Sequence, residues 1–221
     1  EFTEKVPLTK TVTDYYDEYW VDPYSQEVWE YNIAIAKELI SFGFDEIQFD
    51  YIRFPTDGKN LSNAKYRWKD TGIDKEGALI SFLSYARENI DAPIGVDIYG
   101  ANGWYRSGAR TGQDVETIAP YVDVICPMFY PSHFEQDFLA YTPPTERPYR
   151  VYFYGTYRNL VIARNQVLVR PWVQAFYLNV SYDRKYYGDG VDYVRRQIFG
   201  ARDAANHGYM YWNNSGRYDD I

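Results

Sequence analysis

Apolar residues recur at helical spacing between Ser25 and Phe42, where Val28, Tyr31, Ile35, Leu39 and Phe42 form one stripe, with Ser25 able to cap the start and Gly43 the end. The run Phe44-Asp45-Glu46-Ile47-Gln48-Phe49-Asp50 follows almost directly and predicts a short strand finishing on an acid. A second helix is expected over Asp74 to Ile90, with Leu79, Phe82, Leu83, Ala86 and Ile90 on one side and Pro93 forbidding its continuation. Further strands are expected at Ile94 to Ile98, Val122 to Cys126, Val169 to Phe176 and Gly208 to Trp212. Pro171 implies an irregular start to the third of these. A short helix near Asp114 to Ala119 and a last one near Val191 to Asn206 intervene, the latter with Val191, Val194, Ile198 and Ala205 facing in. The stretch from Tyr157 to Gln166 shows poor periodicity. A sixth strand is expected near Tyr19 to Val21.

Strands alternating with helices are the signature of a parallel sheet joined by right-handed crossovers. The fold class expected is α/β, a (β/α)8 TIM-type barrel in partial form. About six strands stand where a closed barrel needs eight, and 221 residues fall short of the usual 250 or so. The first two strand-helix units are expected to be missing, since the third-strand-like Trp20-Val21-Asp22 arrives so early. Such a barrel would expose edge strands and favour self-association. Residues 1–221 are expected to form one domain. Helix-to-strand turns are short, whereas strand-to-helix loops such as Tyr51 to Gly72 and Met128 to Tyr154 are long. Function should therefore sit at the C-terminal ends of the strands.

Composition narrows the partners. A formal charge of -8 argues against nucleic acid, whose phosphates are bound by Lys and Arg. No segment approaches the roughly 18 uninterrupted apolar residues of a membrane span, and no export signal opens the chain. Cys126, the single cysteine, sits in an apolar run as a small buried hydrophobe. It leaves the compartment open, with the extracellular space or cell envelope as the expectation. Aromatic residues reach 19%, with 25 Tyr and 6 Trp, and their flat bodies with polar tips match the apolar faces and hydroxyl rims of sugars.

Asp50 and Asp97 each stand near the end of an expected strand. Adjacent parallel strands lie about 4.8 Å apart, so two such carboxyls can face one glycosidic bond. One must be protonated to assist the leaving oxygen, while the other attacks the sugar or activates water. Alternation puts Asp50 on one face with Gln48 and Glu46. A strand-end acid tied to Arg53 or capping a turn is the plainer alternative for Asp50. The adjacent strands lead to an expected carboxyl separation of about 5 to 5.5 Å, the retaining geometry, rather than about 6.5 to 9.5 Å.

The stretch Trp20-Val21-Asp22-Pro23, then Trp29-Glu30-Tyr31-Asn32 and Ala36-Lys37-Glu38, then Gly43 to Pro55, closely resembles the Putative glycosyl hydrolase domain family of bacterial proteins. Cys126 to Phe134, Arg170 to Phe176 and Gly208 to Asn213 look similar too. The resemblance implies a barrel hydrolase related to the α-amylase-like enzymes, with Asp50 as nucleophile and Asp97, less closely matched, as the partner acid. It departs from those enzymes in having no carboxylate on Arg170 to Phe176, where they keep a third acid. Asp45 to Ile52 superficially resembles the acidic motif of chitinase-like barrels. Ile52 stands where their essential acid would be, which disfavours substrate-assisted chemistry.

Around the two acids, Trp104, Tyr130, Trp172 and Trp212 are candidate sugar-stacking residues, each equally able to pack in the wall. Arg53, Gln174 and Asn213 are candidates for hydrogen bonds to hydroxyls, and His133 for lining the site, while His207 is expected to be structural. Should Asp97 turn away from the mouth, Asp57 and Glu135 are the substitute acids. Asp183 with Asp189, and Asp70 with Asp74, lack the dense oxygen ligands of a calcium loop and are expected to be solvated turns. Asn60-Leu61-Ser62 and Asn179-Val180-Ser181 match the glycosylation pattern, which is too common to decide anything. No cofactor is expected. The sequence thus supports a glycoside hydrolase acting on a poly- or oligosaccharide, with a non-catalytic carbohydrate-binding or scaffold barrel as the rival.

Overall fold

The computed structural model describes residues 20–56, 61, 64–106, 108–187 and 191–219. The chain forms two compact units, the first taking in residues up to Ile94 together with Arg106–Val122, the second Gly95–Tyr105 and Asp123 onward. The architecture is mixed α/β with parallel strands.

In the first unit α1 (Gln26–Ser41) leads through Gly43, at φ 96°, into β1 (Ile47–Phe49). The positive φ suits glycine, which has no Cβ to clash. Asp74 caps α2 (Lys75–Asn89) by accepting the Gly77 N–H at 2.8 Å. Leu79, Phe82, Leu83, Ala86 and Ile90 are all buried, as the pattern predicts. The α1 stripe is a correction: Ile33 and Ala36 are buried, whereas Tyr31, Ile35 and Phe42 are exposed. Small Ala36 lets the helix approach closely on a face that counting large apolar residues overlooks. Two short helices, α3 (Gly108–Thr111) and α4 (Val115–Ile118), complete the unit. Trp20 and Val21 are not in a strand, and Tyr19 lies outside the described residues.

In the second unit β2 (Ile94–Tyr99) pairs in parallel with β3 (Val124–Met128), Asp97 opposite Cys126 and Tyr99 opposite Met128. Cys126 is buried and unbridged, as expected. β4 (Leu168–Val169) pairs with β3, and β5 (Trp172–Gln174) with β6 (Met210–Trp212). The expected Val169–Phe176 strand is therefore split. Arg170 still donates to Ile125 O at 2.9 Å, while Pro171 O accepts from Met210 N at 3.0 Å. The chain changes partners at Pro171, the residue with no N–H to give either neighbour.

The expected loop from Met128 to Tyr154 holds instead the start of a long helix, α5 (Arg147–Ile162). Its buried face includes Arg147, Arg150, Thr156 and Asn159 beside Val151, Tyr152 and Leu160. Polar residues facing the core hide its apolar period. α6 (Ser181–Arg184) and α7 (Val191–Ala204) follow. A Cβ on Gly200 would meet Tyr149 O at 2.3 Å, so glycine sets how closely α7 approaches α5. Phe129, Tyr152, Val173, Tyr193 and Val194 form the apolar core between sheet and helices. No helix among the described residues is long and apolar enough to cross a membrane.

Candidate active site

In the first unit Asp50 directly follows β1 and is exposed. Its Oδ1 accepts the Tyr51 N–H at 2.6 Å. Tyr51 has φ 55°, a left-handed conformation rarely adopted by a residue with a Cβ, and the residue is 66% exposed. Such strain is held only where the surroundings over-determine it, and it tends to gather at functional sites. The Arg53 guanidinium lies 4.9 Å from the Trp20 ring and 5.7 Å from Tyr51, and also donates to Phe54 O at 3.2 Å. Arg53 thus stays beside Asp50 in sequence while stacked on two aromatic faces, where its remaining donors can serve a hydroxyl.

In the second unit Asp97 is 4% exposed, and its Oδ1 accepts the Trp172 indole N–H at 2.7 Å. The Trp172 ring meets Trp212 edge-on, centroids 5.7 Å apart, and Trp212 is 42% exposed. Parallel register puts Gln174 opposite Trp212 and Trp172 opposite Met210, so these side chains share one sheet face. A buried acid, an indole that holds it and an open aromatic surface thus lie in contact.

Tyr130 meets the His133 ring at 5.4 Å and Phe176 at 5.3 Å, just past the ends of β3 and β5. Ser132, one residue before His133, ties this group to β5 by donating to Gln174 Oε1 through both its N–H (3.2 Å) and its hydroxyl (3.0 Å). Nothing in the periodicity singles out Ser132 or Phe176; only their places after strand ends could have marked them.

Three expected ligand contacts have other work. Gln174 is fully buried: besides Ser132 it takes Tyr193 OH at 3.4 Å and gives its NH2 to Phe176 O at 2.9 Å. Asn213 donates to Ala175 O and Arg217 O, both at 2.7 Å, and accepts from Ser215, so its amide builds a turn. Trp104 packs edge-on against Phe129, Phe134 and Phe138 within the core wall.

Asp183, expected in a solvated turn, has a completely buried side chain paired with equally buried Arg147 at 2.9 Å. Tyr193 OH also donates to it at 2.8 Å. Burial pushes its carboxyl above the usual range, against the pull of the Tyr193, Arg147 and Tyr187 donors. Arg147 further donates to Pro131 O, Glu135 O and Phe138 O, so it pins the loop that carries His133. His207 accepts the Val169 N–H at 3.2 Å in a structural role. Glu135 is exposed on that loop; Asp57, Asn60 and Asp189 lie outside the described residues. Asp74 serves as a helix cap. No cluster of three metal-binding side chains occurs among the described residues.

The Putative glycosyl hydrolase domain family matches residues 5–218. No curated protein matches the chain. Among solved structures, the glycoside hydrolase domain of PgaB (BpsB) from Bordetella bronchiseptica is similar in fold, with a TM-score of 0.57 at 13% identity. The similarity covers 95% of this chain and 65% of the Bordetella one. The chain thus spans about two-thirds of the length of that structure. With the family match running across nearly all of its length, the chain belongs to the Putative glycosyl hydrolase domain family.

Proposed function

We propose that the chain is a glycoside hydrolase of (β/α)-barrel type, cleaving O-glycosyl bonds of a poly- or oligosaccharide. Asp50 is its principal catalytic carboxylate and Asp97 the acid/base partner. The observation that carries the reading is the Asp97–Trp172–Trp212 contact: a carboxyl oriented by an indole N–H, beside an exposed ring of the kind on which sugars stack. Family membership and the strained Tyr51 beside Asp50 support the same reading. Trp212, Tyr130, His133 and Arg53 contact the sugar in this account, whereas Trp172, Gln174, Asn213 and Trp104 shape the wall behind them.

In the reaction one carboxyl protonates the glycosidic oxygen as the C–O bond breaks. The other attacks the anomeric carbon, or removes a proton from water that does so. Reducing-sugar release across a panel of polysaccharides, with the product anomer followed by NMR, tests this directly. Release is expected from at least one substrate.

A second reading is a carbohydrate-binding barrel without catalysis. It is favoured by the near-complete burial of Asp97 and by the absence of a carboxylate from residues 170–176. Binding on a glycan array with no release from the bound glycans selects it.

A further inference from the structure

The partners of Gln174 fix its orientation. Its Nε2 donates to Phe176 O, and its Oε1 accepts both the N–H and the hydroxyl of Ser132. Turned over, the amide would set its NH2 against the Ser132 N–H and its oxygen against the Phe176 carbonyl. A hydroxyl has one proton. With the Ser132 proton directed at Gln174, the hydroxyl oxygen must act as the acceptor towards His133 Nδ1, 3.1 Å away. Nδ1 therefore carries the ring proton, and in the neutral ring Nε2 is left with a lone pair. Among the described residues nothing hydrogen-bonds to Nε2, and His133 is an exposed residue whose Nδ1 side is part-buried against Ser132.

We propose that His133 Nε2 is a hydrogen-bond acceptor for a carbohydrate hydroxyl, its tautomer locked by the Gln174–Ser132 relay. The choice of hydroxyl as donor rests on the carbohydrate reading above. Tyr130 and Phe176, with centroids 5.4 Å and 6.2 Å from the imidazole, flank it with the apolar surface that a sugar face covers. Burial of the ring lowers its pKa from the ordinary 6.5 against the opposing pull of Asp183, and this favours the neutral form near neutral pH. Ser132 and Gln174 are positioning residues: they decide that Nε2 accepts rather than donates. This favours a neutral hydroxyl over an anion, which a neutral acceptor repels.

The chain has only two histidines, and His207 supplies an internal control. Its Nδ1 accepts the Val169 N–H, so its neutral ring must carry the proton on Nε2. Nitrogen-15 NMR of histidine-labelled protein at neutral pH should show two rings of opposite tautomer, one protonated on Nδ1 and one on Nε2. Ser132→Ala should move only the first towards the Nε2–H form that an unconstrained imidazole prefers. Ser132→Thr, which restores the hydroxyl, should return it. Two Nε2–H rings in the unmodified protein overturn the lock.

Binding to an array of neutral oligosaccharides tests the role. Ser132→Ala should weaken the strongest signals about tenfold, as loss of one buried-site hydrogen bond does, with Ser132→Thr close to the unmodified protein. Equal binding by the alanine variant overturns the acceptor role. Unmodified protein that binds no oligosaccharide overturns both this role and the carbohydrate reading, and the tautomer measurement then separates that failure from a failure of the lock.

Discussion

Trp172 holds Asp97 through a 2.7 Å hydrogen bond from its indole nitrogen, and the two are 75 positions apart in sequence. The bond joins β2 to β5 across the face on which Trp212 opens to solvent. Replacing Trp172 by Phe keeps an aromatic ring, a smaller one, and takes the indole hydrogen bond from a buried acceptor. Denaturant unfolding should show a loss of about 1–3 kcal/mol. Asp97→Asn retains an oxygen for the indole and should unfold close to the unmodified protein, yet lose hydrolysis. A stable, fully active Asp97→Asn variant would remove Asp97 from the chemistry.

Arg147 satisfies Asp183 and three loop carbonyls from within the core. Arg147→Met would leave that carboxyl buried without its cation, at a cost of about 3–5 kcal/mol. Chemical denaturation measures it; a loss under about 1 kcal/mol would mean that the pair is dispensable.

Gly200 sits where a Cβ would be 2.3 Å from Tyr149 O, a backbone atom that cannot swing aside. Gly200→Ala must push α7 off α5, and should cost about 1–3 kcal/mol despite alanine's better helix propensity. A thermal shift upward would show that the helices separate without penalty.

The lowered pKa of His133 has a defined sign in stability. Between the folded value and the ordinary 6.5, the unfolded chain binds the extra proton. Stability therefore rises with pH through that window and is level above it. Relative to a His133→Gln variant, the unmodified protein should gain stability as pH rises towards about 6.5. Parallel profiles for the two would contradict the shift.

Large apolar side chains at regular spacing made α2 and the central strands legible in the sequence. α5 was hidden because Arg147, Arg150, Thr156 and Asn159 face inward, the two arginines bonded to loop carbonyls that no spacing rule can foresee. α1 was found but its face misassigned, since Ala36 buries where Phe42 does not. Asp97 and Trp172 were each singled out as strand residues, yet their contact bridges strands of two different sheets, which spacing along the chain does not reveal. Gln174 and Asn213 have the chemistry of sugar ligands. Their engagement by Ser132 and by the 213–217 turn becomes apparent only from the folded chain.

The most direct test of the account is hydrolysis by an Asp50→Asn variant. On any polysaccharide from which the unmodified protein releases reducing sugar, the variant should lose turnover by about 10²–10⁴-fold or more while its circular dichroism and melting temperature stay unchanged. Asp50 is exposed at the end of β1, and asparagine keeps a side-chain oxygen for the Tyr51 N–H. Undiminished reducing-sugar release by a correctly folded Asp50→Asn protein would contradict the assignment of the catalytic centre to Asp50.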